Sequence, residues 1–457
     1  MLWTLVQKEM KNNLLSLRFA LALVIVLLIV LGSVRVRIDD YVNSVLDRQA
    51  NQQGQRESLR DTGWWWRFQR EGMFLQKPVQ TLGILVSGTE RGNDSSAKVF
   101  ERDKPRIQWY GTLDRNPLQT FSSPVDLMFI TGIVMSLLVL VLSFDAIAGE
   151  RELGTLKLLL SFPVPRSTLL LAKWIGGMVT LSVPFVVSYL CVAIWILLSP
   201  RVTFTAQDWT ACLLIGAASL LYIAWMFSAA LLVSCWFRRA ATAMYMLLFM
   251  WVAVILVLPN ISPYLAAGLV PVESEQAINS RIIQIQQELR TEEREQLRAI
   301  EQKYGTRRWW RNEDAWNEGV DVVTATYKKL RAQTRAVVDD REARLNRQLD
   351  VARNLGRLSP FVSYANMVTA LAWTGPEFSQ HVLRAMREFE DQLRRITTEG
   401  LKAQQDFAVE GLPTFRYSAP PVARRFVLAY LDWILLISGT AILFLGAYVS
   451  FVTRGIH

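Results

Sequence analysis

Six apolar stretches divide the chain: 17–34, 126–144, 169–198, 209–237, 240–258 and 426–451. Each is long enough as a helix to cross a hydrocarbon core of roughly 30 Å. Polar positions gather in two long segments, 35–125 and 259–425, and in a compact charged loop, 145–168. An amphipathic stretch over 1–16 precedes the first span. The first span lacks a small-residue cleavage site and runs straight into "VRVRIDD", so it reads as a retained anchor. The pattern predicts an all-α membrane protein with six transmembrane helices. It also predicts a large, mostly helical extracytoplasmic domain and a smaller mixed α/β extracytoplasmic segment.

Within 35–125, a polar stretch of helical character leads through "GWWWRF" to "KPVQTLGILVSG", which reads as a turn and then a strand. Within 259–425 the apolar positions recur at helical spacing. Val382, Met386, Phe389, Leu393 and Ile396 form a heptad seam that continues through Gly400 to Ala403 and Phe407. Val323, Tyr327, Leu330, Thr334 and Val337 repeat that spacing inside 312–355. Dense charge around both seams suits an intramolecular antiparallel bundle, with an intermolecular coiled coil as the alternative. Between them, "RLSPFVSYANMVTALAWTG" reads as a short amphipathic helix that caps the bundle or lies on the membrane surface.

Composition changes this picture little. The 457 residues are 51% hydrophobic and carry a net charge of +10. In a soluble protein such a charge would point to nucleic acid. Here the basic residues flank spans and face lipid headgroups, so no nucleic-acid partner is expected. With the N-terminus in the cytoplasm, that side receives Lys8, Lys11, Arg18, Arg151, Lys157, Arg166, Lys173, Arg238, Arg239 and Arg454. The bias places both termini in the cytoplasm and the two long segments outside. Cys191, Cys212 and Cys235 lie in apolar windows, so no disulfide framework is expected. With only His381 and His457, no Cys/His spacing suits a metal.

No G-x-x-x-x-G-K-[ST], G-x-S-x-G or H-E-x-x-H occurs. The chain is therefore not expected to be an enzyme. The strongest positive signal is the loop "FDAIAGERELGTLKLLLSFPVPRSTLLLAK". Its spacing places Leu153, Leu156, Leu160 and, nearly, Leu159 on one helical face, with Glu150, Arg151 and Lys157 turned elsewhere. "FPVPRS" then ends the helix, and Ser167 is placed to cap the next. Apolar anchors within a mixed-charge rim suit docking into a groove on a soluble partner. An interfacial helix resting on the bilayer fits the same spacing.

The pattern Glu150–x–x–x–Gly154–Thr155–Leu156, then Leu159, Leu160, Pro163, Arg166 and Lys173, resembles the loop between the second and third spans of ABC-2-type permeases. The start "MLWTLVQKEMKNNLLSLR", with Lys8, Glu9, Lys11 and Arg18 on its polar side, is similar to that family's N-terminal interface helix. The large outer segments resemble the subgroup with extracytoplasmic insertions, including permeases tied to gliding motility or copper-enzyme maturation.

The resemblance implies that Glu150, Arg151, Glu152, Gly154, Thr155, Leu156, Lys157, Leu160, Pro163 and Arg166 form a coupling loop seated on a separate ATP-binding-cassette subunit. That subunit would bind ATP and Mg, leaving no cofactor in this chain. A second permease chain would complete a homo- or heterodimer in a bacterial inner membrane, with a periplasmic protein as a further candidate partner. The expected function is the permease subunit of an exporter or extractor. The alternative is a mechanotransmitter that acts on an outer partner without moving a small substrate.

Three weaker features complete the reading. Asp432 lies several residues inside the sixth span, where a carboxylate is paired, faces a cavity or reaches the headgroups. A secondary transporter or channel would need intramembrane charges or repeated broken helices, for which Asp432 alone is thin support. The clusters Trp64–Trp65–Trp66 and "RRWWRNEDAW" read first as packing or interfacial aromatics, and Pro184 as a bend in the third span.

Overall fold

A computed structural model describes residues 2–60, 73–88, 94–99, 108–111, 125–161, 165–402 and 414–453. Among them, six helices are long and apolar enough to cross a membrane. Span 1 is Leu17–Arg60, span 3 Arg166–Leu198, span 4 Ala206–Trp236 and span 6 Tyr430–Thr453. Span 2 joins Leu127–Phe129, a π-helical stretch Ile130–Met135 and Ser136–Ser143. Span 5 joins Ala240–Trp251, a π-helical stretch Val252–Val257 and Leu258–Leu269. Helices outside the spans are α1 Leu2–Leu14, α2 Ala148–Glu152, α3 Thr155–Ser161, α4 Glu275–Lys303, α5 Glu313–Gly356, α6 Pro360–Ala372, α7 Pro376–Lys402 and α8 Val422–Leu428. The bundle's proximal end carries α1, α2 and α3; its distal end carries the rest.

The span boundaries differ from expectation at two places. Span 5 continues to Leu269 although Pro259 and Pro263 suggest a stop at 258. Proline removes one backbone donor and crowds the preceding turn. The wider π-helical turn just before Pro259 lets the helix continue across it. Span 6 begins at Tyr430, because the chain breaks at Ala429 after α8. Span 1 keeps going to Arg60, and its 44 residues measure about 66 Å at 1.5 Å per residue, twice a hydrocarbon core. Its distal half is therefore the polar helix expected after the first span.

The stretch "TLGILV" is not a strand. Thr81–Ile84 forms a 3-10 turn, and Leu82, Ile84, Leu85 and Val86 are buried among the spans. Arg37 of span 1 holds it there, donating to the carbonyls of Gly83 and Ile84. Asp126 caps the start of span 2 at Phe129 N and accepts from the Ser87 amide and hydroxyl. The strands are instead β1 Met73–Gln76, β2 Asp94–Val99 and β3 Gln108–Gly111, an antiparallel sheet in the order β1-β2-β3.

That sheet explains the heptad seam of α7. Val382, Met386, Phe389 and Leu393 are buried against Leu75 of β1 and Ala97 of β2, with Phe415 and Tyr417 closing the sides. The seam thus covers a sheet within its own chain rather than another helix. Its continuation at Ile396 and Gly400 lies where no side-chain placement is described, and 403–413 lie outside the described residues. The antiparallel helical pair is α4 with α5, where Ile282, Leu289 and Ile300 meet Thr326, Leu330 and Thr334 as buried positions. Ion pairs of Asp391 with Arg331 and Arg335, and of Arg387 with Asp339 and Glu342, bind α7 along α5.

Helix α6 neither caps the outer bundle nor lies on a surface. It is buried almost throughout and packs against spans 4 and 6. Tyr364 stacks on Tyr222 with ring centroids 4.8 Å apart, and its hydroxyl lies 3.0 Å from that of Ser219. Tyr222 donates to the Gly132 carbonyl in the π-helical stretch of span 2, at 2.9 Å. The tryptophan pattern at 309–316 packs: Trp309 stacks on Trp316 and lies against Gly319, leaving Trp310 exposed at the α4–α5 tip. Trp64–Trp66 lie outside the described residues.

Candidate functional site

The proximal loop is built from two short helices rather than one. Gly154 between them has φ +74°, the left-handed region that glycine enters without steric cost. This break separates Leu153 from Leu156, which a continuous helix would place on one face. Leu156 turns inward, 4% exposed, and packs with Ile147, Leu169, Leu170, Leu231 and Phe451. Leu153 is 79% exposed and Leu158 is 65% exposed. With Gly154, Thr155 and Lys157, also exposed, they form the crest of the loop. Leu160 lies in α3, and Pro163 lies outside the described residues.

The charges of the loop are spent on fixing its frame. Lys173 of span 3 is buried, and its Nζ lies 2.8 Å from Glu150 Oε1 and 3.1 Å from Glu9 Oε1 of α1. One ammonium thus ties the loop, the N-terminal helix and span 3 at a single point. A buried charge needs such partners, because taking it from water unpaired is costly. Helix α1 comes this close because Gly176 of span 3 offers no Cβ; an added one would stand 2.9 Å from the Glu9 Cβ.

Arg151 and Glu152 act on two opposite helix ends. Arg151 donates to the carbonyls of Cys235 and Phe237, at the C-terminal end of span 4. Glu152 accepts from Ala240 N at 2.9 Å, where span 5 begins with unpaired donors. Neighbouring residues of opposite charge therefore stitch the loop to the turn between spans 4 and 5. Ser234 completes the seam. Its hydroxyl accepts from the amides of Ile147 and Ala148 and donates to the Phe144 carbonyl. Thr155 donates to the Glu150 carbonyl across the glycine break.

The remaining expected residues divide by role. Arg166 donates to the Val452 carbonyl at the proximal end of span 6, 3.0 Å away. Arg18 pairs with Asp145 at 2.9 Å, where both are substantially exposed. Lys8 and Lys11 are exposed on α1, whereas Glu9 leaves that polar side for Lys173. Ser16 caps span 1 by accepting from Phe19 N. Asp432 belongs to a different place. It is 1% exposed at the distal end of span 6 and meets Arg357 through two bonds of 3.0 Å, with Asn366 at 3.3 Å. Among the described residues, no three His, Cys, Asp or Glu side chains converge as a metal site.

Sequence reasoning missed Ser234, Glu9 as a buried partner, and Arg357. Only Glu9 left a usable trace, as an acid on an otherwise basic amphipathic helix beside a span carrying Lys173.

A family profile described as ABC-2 family transporter protein matches residues 3–455. A protein of Stutzerimonas stutzeri, called probable ABC transporter permease protein NosY, is 35% identical over 95 residues, 20% of this chain and 34% of its own length. One of Pseudomonas aeruginosa with the same name is 35% identical over 115 residues, 24% of this chain and 39% of its own length. The chain thus matches little more than a third of each relative. The family match, by contrast, runs from α1 to the end of span 6 and includes the loop anchored on Lys173. The chain belongs to the ABC-2 family of transporter proteins.

Proposed function

We propose that this chain is the permease subunit of an ABC transporter of the exporter or extractor type, driven by a separate ATP-binding-cassette subunit. One observation carries the proposal. The loop frame is locked by Lys173, Arg151 and Glu152, while Leu153 and Leu158 stay exposed on its crest. A rigid frame with two unpartnered leucines suits a surface that receives force from a docked protein. The docking contact falls on Leu153–Leu158, and Glu150, Arg151, Glu152 and Leu156 support it from beneath. ATP and Mg are bound by the partner.

In this reading the proximal end is cytoplasmic, both termini lie in the cytoplasm of a bacterium, and the distal segments face the periplasm. A second permease chain completes the assembly, because one loop serves one ATP-binding subunit. Closure of the partner pushes α2 and α3, and the spans rock with them. A second reading has its own observation in the length of α5, 44 residues or about 66 Å. Such a lever suits a transmitter that moves a periplasmic protein without carrying a small substrate.

Replacing Leu153 and Leu158 together with aspartate tests the docking. We expect loss of co-purification with the ATP-binding subunit and of permease-stimulated ATP hydrolysis, with insertion intact. Full retention of both would count against it. Single-turnover transport in proteoliposomes then separates carrier from transmitter. A cysteine at Gln284 reacting with an impermeant reagent in intact spheroplasts supports the sidedness; reaction only after lysis opposes it.

A further inference from the structure

We propose that Arg357 and Asp432 form the joint through which span 6 moves the distal helices, which makes them positioning residues for the driven cycle; this rests on the reading that an ATP-binding subunit acts at the proximal loop. Asp432 is the third residue of span 6 and is almost fully buried. A carboxylate there is tolerated only when firmly partnered. Arg357 supplies the partner through Nε to Oδ1 and Nη2 to Oδ2, both at 3.0 Å. Two parallel bonds fix orientation as well as distance.

Arg357 itself stands where α5 ends and the turn into α6 begins. Its Nη1 donates to Asn354 Oδ1 at 2.7 Å, and Asn366 of α6 also donates to Asp432. The guanidinium is therefore held by α5 on one side and by span 6 on the other. Arg353, one turn earlier, pairs with Glu377 of α7, so α5 and α7 share the same root.

The other end of span 6 is anchored as well. Val452 accepts from Arg166, and Ala447 and Phe451 pack in the cluster that contains Leu156. Between the two ends, Gly439 lies against Trp225 and Gly446 against Leu232, so span 4 braces span 6 along its length. A push on the loop reaches Phe451, and a braced helix carries it to Asp432. A pair that merely tolerated burial would not need a guanidinium anchored to the root of the longest outer helix.

The test uses the full chain assembled with its ATP-binding subunit in lipid nanodiscs, with spin labels at Arg201 and Gln284. ATP should shift the distance between these labels in the otherwise unchanged protein. Asp432→Asn and Arg357→Gln should each cut that shift by about fivefold or more, a coupling of ordinary size, while permease-stimulated ATP hydrolysis persists. The exchange Arg357→Asp with Asp432→Arg should restore most of the shift, which a stability role for either residue alone would not predict. Should Asp432→Asn fail to assemble, Arg357→Gln and the exchanged pair decide the matter. A full shift in a single variant, or no shift in a parent whose hydrolysis is stimulated, overturns the joint and leaves the docking proposal standing. Loss of stimulation in the parent would overturn the docking proposal itself.

Discussion

Lys173 Nζ stands 2.8 Å from Glu150 Oε1, and this contact joins the middle of span 3's proximal third to the start of the loop. Glu9 shares the same ammonium at 3.1 Å. Removing the lysine would leave two carboxylates, each partly open to water, without the ammonium they share. Lys173→Met should therefore cost roughly 3–5 kcal/mol, as expected when one partner of a buried ionic group is lost. Glu9→Gln and Glu150→Gln should each cost less, and their effects should not add. Thermal melting of the purified chain and a double-mutant cycle check both points.

Gly154→Ala should strain the break between α2 and α3. The φ of +74° costs a side-chain residue about 1–2 kcal/mol. The space around Gly154 is open, so the penalty is conformational and not a clash. A protease that cuts in the loop should act faster on the variant, while the melting of the distal helices stays unchanged.

Two leucines of one short loop should behave oppositely. Leu156→Ala removes a buried side chain from the cluster around Phe451 and should cost about 2–5 kcal/mol. Leu158→Ala should leave melting within about 0.5 kcal/mol of the parent. In co-purification the order reverses, with Leu158 the residue that matters. Equal effects of both on melting would contradict the placement of the break at Gly154.

The distal domain should lose stability in acid through His381. Its imidazole is held below the ordinary value of 6.5, first by burial and then by Arg384 and Arg424. It packs edge-on to Trp373 and Tyr417, and its Nδ1 has no hydrogen-bond partner. A depressed histidine binds fewer protons folded than unfolded. Its contribution is complete above pH 6.5 and declines as pH falls through and below that value. Melting of the distal domain should drop over that window, and His381→Gln should flatten the slope.

Much of the architecture was legible because lipid-facing helices announce themselves by length. The α7 seam was legible too, as Val382, Met386, Phe389 and Leu393, since four buried positions at helical spacing need only local pattern. Its partner was not, because a sheet made of Leu75 and Ala97 lies some 300 residues away in sequence. Leu82–Val86 read as a strand from its apolar run. Arg37, placed by a helix 46 residues earlier, decides otherwise by taking the carbonyls a strand would offer its neighbour.

In the loop, residue types were informative but directions were not. Glu150, Arg151 and Glu152 look like a solvated rim until Lys173, Cys235, Phe237 and Ala240 are brought beside them. Asp432 was visible as an oddity within span 6. Its partner Arg357, 75 positions earlier, was one arginine among many in a charged segment.

In the proposed function the crest of the loop, and not its charged frame, meets the ATP-binding subunit. A photoreactive side chain introduced at Leu158 in intact membranes tests this contact. We expect a crosslink to the ATP-binding chain from Leu158 and from Leu153, and none from Trp310 at the distal tip. A crosslink from Trp310, with none from either leucine, would contradict both the docking surface and the sidedness on which it depends.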